Sequence, residues 1–181
     1  MTEHFDYALE KTLKHEGFYS NHPNDTGGET YRGISRKWHK DAGLWKQIDS
    51  IKASGRIPDE SDNATLMPYV RGIYKELYWE PIRAGQITHR DLAAYLFDCA
   101  VLHGVRTAGK YLQEALNSCG QNVSVDGKIG EETLYALRVV NKPELILNIM
   151  RSLRMYGMLL NVQDNPSQVV FLNGWLRRAM S

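Results

Sequence analysis

Apolar positions recur at helical spacing along most of the chain, so the pattern predicts a mainly α protein. Phe5, Leu9 and Leu13 fall on one face of a first helix. Glu16 extends that stripe, and Gly17 is well placed to stop it. The period then breaks over residues 18–35. Ser20-Asn21-His22-Pro23-Asn24-Asp25-Thr26-Gly27-Gly28 crowds turn formers together and predicts an irregular segment or a small β-hairpin. A short helix is expected near residues 36–42, whereas residues 46–66 are polar and carry no clear period. Val70, Ile73, Tyr74 and Leu77 place a helix over about 68–78, ahead of Pro81. Thr88 and Asp91 form a capping pattern for a helix running to Gly104. Further helices are expected over about 107–118, 131–140, 143–160 and 167–178, the third opened by Pro143.

A length of 181 residues suits one compact domain, or two small lobes sharing a core. The weakest connection lies near residues 81–88. Residues 1–87 and 88–181 are accordingly expected as two lobes packed into one unit. With 43% apolar and 24% charged residues there is material for a sizeable core, and disorder is not indicated. The formal charge of +1 points away from nucleic acid, whose partners usually carry a concentrated basic face. No stretch reaches the roughly 20 apolar residues of a membrane span. Met1-Thr2-Glu3-His4-Phe5-Asp6 lacks the basic start and apolar run of a secretory signal. Synthesis in the cytoplasm is therefore expected, with any extracytoplasmic target reached by another route. Cys99 and Cys119 show neither metal-ligand spacing nor a disulfide framework, and Cys99 in its apolar run reads as a buried thiol.

Candidate chemistry gathers in two adjoining runs, His15-Glu16-Gly17-Phe18-Tyr19 and Asp25-Thr26-Gly27-Gly28-Glu29-Thr30-Tyr31-Arg32-Gly33-Ile34-Ser35. A carboxylate at Glu16 faces the interior or a cleft, at a helix end where the backbone dipole disfavours negative charge. Both conditions favour the neutral acid. Cleavage of a glycosidic bond requires such an acid, because the leaving oxygen must receive a proton. The plainer role for Glu16 is a surface side chain or a cap on a neighbouring amide. Asp25 and Thr30 follow within a loop that can return over the helix end. Asp25 then acts as a base, holds a water or stabilises a positively charged sugar, while Thr30 orients the water. Gly27 and Gly28 permit a tight path close to a sugar. Asp25 also suits a plain turn, and Glu29 competes as second carboxylate, although its neighbours suggest an exposed loop side chain. Tyr19, Tyr31, Trp38, Trp79 and Trp175 are candidates for stacking on sugar rings, or for the core.

The run Glu16-Gly17-x-Tyr19 … Asp25-x-Gly27-Gly28-x-Thr30-x-x-Gly33-Ile34-Ser35 resembles the glycoside hydrolase family 108 lysozymes, a group that includes phage endolysins and secretion activators. The glutamate–aspartate interval is also similar to that of phage-type lysozymes, with the threonine one residue sooner. Phe18 stands where the family often has a second glycine. Downstream, Phe97-Asp98, His103-Gly104, Leu112-Gln113, Asn117, Val125-Asp126-Gly127-x-Ile129-Gly130-x-x-Thr133 and Gly174-Trp175-x-x-Arg178 resemble the peptidoglycan-binding region that accompanies the family. Asp126 itself reads better as a turn residue than as a sugar contact.

The resemblance implies a lysozyme-like fold and N-acetylmuramidase activity on the glycan strand of peptidoglycan. Glu16 is the matched catalytic glutamate, with Asp25 and Thr30 beside it and Tyr19, Gly27, Gly28 and Tyr31 against substrate. A monomer with no metal or cofactor is expected, and the resemblance implies holin-type release to the wall. A glycan-holding protein without activity and a lytic transglycosylase remain open alternatives. An amidase or peptidase is disfavoured, since no convincing metal site or nucleophile set is visible.

Overall fold

The computed structural model describes residues 2–22 and 28–181, and within them the protein is mainly α-helical with a small antiparallel sheet. The chain divides into two compact units, one formed by Leu9–Leu77 and one by the residues up to Ala8 with Tyr78–Ser181. Helix α1 (Thr2–Leu13) runs across the first boundary.

In the 9–77 unit a three-stranded sheet follows α1, with β1 (Tyr19–Ser20), β2 (Thr30–Tyr31) and β3 (Ile34–Ser35) in that spatial order. Tyr19 pairs with Tyr31, and Tyr31 pairs with Ile34. The two residues joining β2 to β3, Arg32 and Gly33, both have positive φ, at 48° and 77°. That is the turn whose twist matches paired strands, and it explains why a glycine stands second. Where residues 18–35 are described, β2 and β3 form a tight hairpin and β1 pairs with β2.

Residues 36–42 form turns rather than the expected helix. A helix follows instead, α2 (Gly43–Ala53), which overlaps the stretch that showed no period. Only Leu44, Trp45 and Ile48 are buried there, too few apolar positions to mark a helix by eye. Helix α3 (Asn63–Tyr74) also starts earlier than expected and carries Pro68 within it.

The larger unit contains α4 (Arg90–His103), α5 (Val105–Ser118), α6 (Glu131–Val140), α7 (Pro143–Asp164) and α8 (Val169–Met180). Helix α4 is capped by His89, which accepts the Leu92 N–H at 3.3 Å, and not by Thr88. Phe5, Trp79 and Phe97 pack with ring centroids 5.4–5.9 Å apart, Phe97 edge-on to both partners and Phe5 tilted on Trp79, contacts that add about 1 kcal/mol per pair beyond burial. Cys99, on α4 like Phe97, is fully buried, and burial pushes its thiol up to about 12. Both cysteines are free thiols, Cys119 being partly exposed.

A buried ionic group ties three helices of this unit together. Arg154 on α7 is fully buried, with Nη2 at 2.9 Å from Asp98 on α4. That contact is an ion pair, poorly aligned for a hydrogen bond. Arg178 on α8 reaches the same carboxylate through Nη2 and Nε at 2.9 and 3.2 Å. Burial lifts the Asp98 carboxyl, but Arg178 and Arg154 outweigh it and hold it below the ordinary range. Tyr95 donates to the Ala179 carbonyl at 2.9 Å, fastening the end of α8.

The turn at Asp126 is structural, as its sequence suggests. Gln113 donates to Asp126 and to the Lys128 carbonyl at 2.9 and 3.0 Å, and accepts the Gly127 N–H at 2.8 Å. A β-carbon on Gly109 would lie 2.3 Å from the Gly127 carbonyl oxygen, and one on Gly127 would lie 2.4 Å from the Arg106 carbonyl oxygen, so each close approach requires a glycine.

Candidate functional site

Helix α1 closes at Leu13, one turn before the expected stop at Gly17. The His15 and Glu16 N–H groups bond back three residues, to Thr12 and Leu13, at 3.0 and 3.2 Å. The helix therefore tightens and ends without a left-handed glycine, because Gly17 does not have positive φ. Glu16 sits in the bend that follows and is partly buried.

The turn between β2 and β3 supplies its neighbour. A β-carbon on Gly33 would lie 2.9 Å from Glu16 Oε2 and 2.7 Å from the Tyr74 hydroxyl oxygen. Both oxygens thus converge on the face of Gly33, and only a residue without a side chain leaves room for them. Tyr74 is buried, and its hydroxyl donates to the Arg32 carbonyl at 2.8 Å, which fixes it against the same turn. Neither residue was an evident site candidate. Gly33 stood in the motif, while Tyr74 was visible only as part of an apolar stripe. A buried phenol needs a partner for its hydroxyl, and that need was the available signal.

Glu29 occupies a different environment from the exposed loop position expected of it. Its side chain is only 10% exposed and accepts from Lys52, Tyr19 and Arg36 at 2.7, 2.8 and 2.8 Å. Burial raises its carboxyl, but these donors outweigh burial and leave it below the ordinary range. Arg36 continues to Asp49 through two contacts of 2.6 Å. An anion so enclosed is a structural hub, with little freedom left to accept a proton or activate water.

Tyr19 lies partly buried with its hydroxyl committed to Glu29. Thr30 is in β2, and its hydroxyl donates to the Gly28 carbonyl at 3.1 Å. Gly28 has φ of 69°, as a tight loop exit requires. Tyr31 is fully buried, its ring edge-on to Phe18 at 5.4 Å and its hydroxyl 3.4 Å from Asn63. Its face is therefore occupied by protein and not open to a sugar. Asp25 and Gly27 lie outside the described residues. Among the other aromatics, Trp38 is 73% exposed, Trp79 is in the core and Trp175 is partly exposed. Among the described residues no cluster of His, Cys, Asp and Glu has the makings of a metal site. No helix among them is long and apolar enough to cross a membrane.

The model of a family described as glycosyl hydrolase 108 matches residues 9–104, which include Glu16, Gly33 and Tyr74. A second, described as a predicted peptidoglycan domain, matches residues 107–180. Among solved structures the chain is similar to SagA of Brucella abortus, with 24% identity and a TM-score of 0.68 over 99% of this chain and 91% of that one. That likeness concerns the fold. Among curated proteins nothing matches.

Proposed function

The chain belongs to the glycosyl hydrolase 108 family, and from that premise we propose that it is an N-acetylmuramidase with Glu16 as general acid. Glycoside hydrolysis in a lysozyme-like role directed at peptidoglycan follows from the two family matches. The bond and the acid are the proposal. The bond is the β-1,4 link from N-acetylmuramic acid to N-acetylglucosamine.

The observation that supports Glu16 is its carboxyl group held at Gly33 beside the Tyr74 hydroxyl, within the matched family segment. A partly buried carboxyl group fixed against a bare backbone turn can meet a glycosidic oxygen at short range and deliver its proton. Asp25 is the favoured second carboxylate because Glu29 is already engaged by three donors. Asp25 and Thr30 together organise water or the developing cation. An endolysin's route, holin-type release from the cytoplasm to the wall, belongs to the same proposal.

Glu16→Gln preserves the shape of the site and removes the acid. Its release of soluble muropeptides from purified peptidoglycan is expected to fall about 10²–10⁴-fold, with the thermal transition kept. A variant as active as wild type would overturn the assignment. Reducing muramic ends in the products mark hydrolysis. Ends carrying 1,6-anhydro rings mark a lytic transglycosylase, and binding without release marks a glycan-holding protein.

A further inference from the structure

A pocket lies wholly within the larger helical unit. It has a volume of about 230 Å³ and opens between α4, α5, α7 and α8. Leu102 and Met158 give it apolar wall, and Tyr111 and Trp175 give it aromatic wall. Trp175 is held by Phe171, stacked at 6.1 Å with 27° between the rings. The polar lining comes from His103 and Asn161.

The charge state of this lining is well defined. Arg154 Nε donates to His103 Nε2 at 3.1 Å, so Nε2 is the accepting nitrogen and Nδ1 carries the ring proton. Burial and the Arg154 guanidinium push the imidazole down to about 4, so it is neutral at physiological pH. Tyr111 meets the His103 ring edge-on at 5.9 Å, and burial raises its phenol, which also stays neutral. Among the described residues no Asp, Glu, Lys or Arg lines the pocket. It offers flat apolar faces with neutral hydrogen-bonding groups, and no counter-charge for a carboxylate or an amine.

Gly157 is a further pointer. It stands in the middle of the 22-residue α7, where glycine costs about 1 kcal/mol relative to alanine. A β-carbon there would come 3.2 Å from the Tyr111 hydroxyl oxygen. The glycine thus keeps the wall of the pocket open at the expense of helix propensity.

We propose that this pocket binds one N-acetylated amino-sugar ring of the glycan strand, with Trp175 against the ring face and Asn161 and His103 Nδ1–H toward the acetamido group. The inference rests on peptidoglycan as the substrate but not on cleavage. Neutral polar groups beside aromatic faces suit an uncharged sugar amide. They do not suit the charged stem peptide. Five of the seven lining residues fall within residues 107–180, the peptidoglycan-domain match. The site gives that region a hold on the strand independent of the catalytic acid.

The test uses the full ¹⁵N-labelled chain, whose four tryptophans give resolvable indole N–H signals, Trp175 being assigned with Trp175→Phe. Addition of N-acetylglucosamine is expected to move the Trp175 signal saturably, while glucose, which lacks the acetamido group, leaves it in place. Asn161→Ala, at an exposed position, is expected to weaken binding at least fivefold, and Gly157→Val to abolish it. Glu16→Gln is expected to bind as wild type does. A stationary Trp175 signal, an equal response to glucose, or unchanged binding by Asn161→Ala overturns the proposal. A stem-peptide fragment moving the signal in place of the sugar does so too. Should the sugar bind while Glu16→Gln remains fully lytic, the catalytic assignment fails and the pocket stands. The converse result removes the pocket alone.

Discussion

The 9–77 unit and the larger helical unit are ordered by different means. The first has three strands of two residues each, and its arrangement depends on particular polar contacts: Glu29 among its three donors, and Tyr74 on the Arg32 carbonyl. The second has a continuous apolar core and one buried ionic group, Asp98 with Arg154 and Arg178. The proposed acid sits in the unit with less regular structure. A loop-built site can bring a bend, a turn and a phenol to one point, which the regular face of a helix does less readily. The cost is that single contacts matter more there, whereas the helical unit spreads its stability over many side chains.

The contrast implies that losing the ionic centre should harm the fold, and losing the turn geometry should harm activity. Asp98→Asn leaves two cations facing each other in the core and is expected to lower stability by about 4 kcal/mol, read as a lowered urea midpoint. A loss below about 1 kcal/mol would mean that solvent reaches this group freely. Gly33→Ala must place a β-carbon onto Glu16 and Tyr74 at a φ of 77°. Its expected loss is about 2 kcal/mol of stability. Hydrolysis should fall further than folding does, by at least tenfold at a temperature where the variant is fully folded. Equal losses would assign Gly33 a role in the fold alone.

The same contrast shows which parts of the protein were legible in the sequence. Helices α4 to α7 were readable because each buries a full stripe at helical spacing, and tertiary packing then moved only their ends. Helix α2 was not, since Leu44, Trp45 and Ile48 sit among polar residues and the helix is recognisable only by what it packs on. Glu16 was legible from the motif and the end of its stripe, but the helix stops three residues short of it. The hub at Glu29 brings Tyr19 and Lys52 together across much of the unit's sequence, and no local pattern encodes such a meeting. Tyr31 looked like a stacking surface because type alone does not tell which ring the fold will bury.

Smaller effects separate the units by pH and by salt. His103 moves from an ordinary 6.5 to about 4 on folding, so between those values only the unfolded chain takes up the proton. Stability should therefore fall as pH drops through that window, by about 2 kcal/mol once partial exposure is discounted. His103→Gln keeps an acceptor for Arg154 and should remove this dependence, seen as a urea midpoint that changes less than wild type's between pH 6.5 and 4. A wild-type slope that persists in the variant would place the titration elsewhere. Glu29→Gln retains the shape of its hub but leaves Lys52 and Arg36 without their shared anion, at an expected cost of about 1 kcal/mol. That cost should shrink in high salt, as an ionic contribution near the surface does. Salt-independence would assign the effect to hydrogen-bond geometry.

The two free thiols form a built-in clock. Cys119 is accessible enough to react with a thiol reagent in the folded protein, whereas Cys99 has no exposed surface and a thiol pushed up to about 12. Labelling of Cys119 therefore reports that the reagent is present and competent. Labelling of Cys99 counts the occasions on which the helical unit opens. The ratio of the two rates would time that opening in a suspension of bacterial wall, where optical methods fail, with no residue changed.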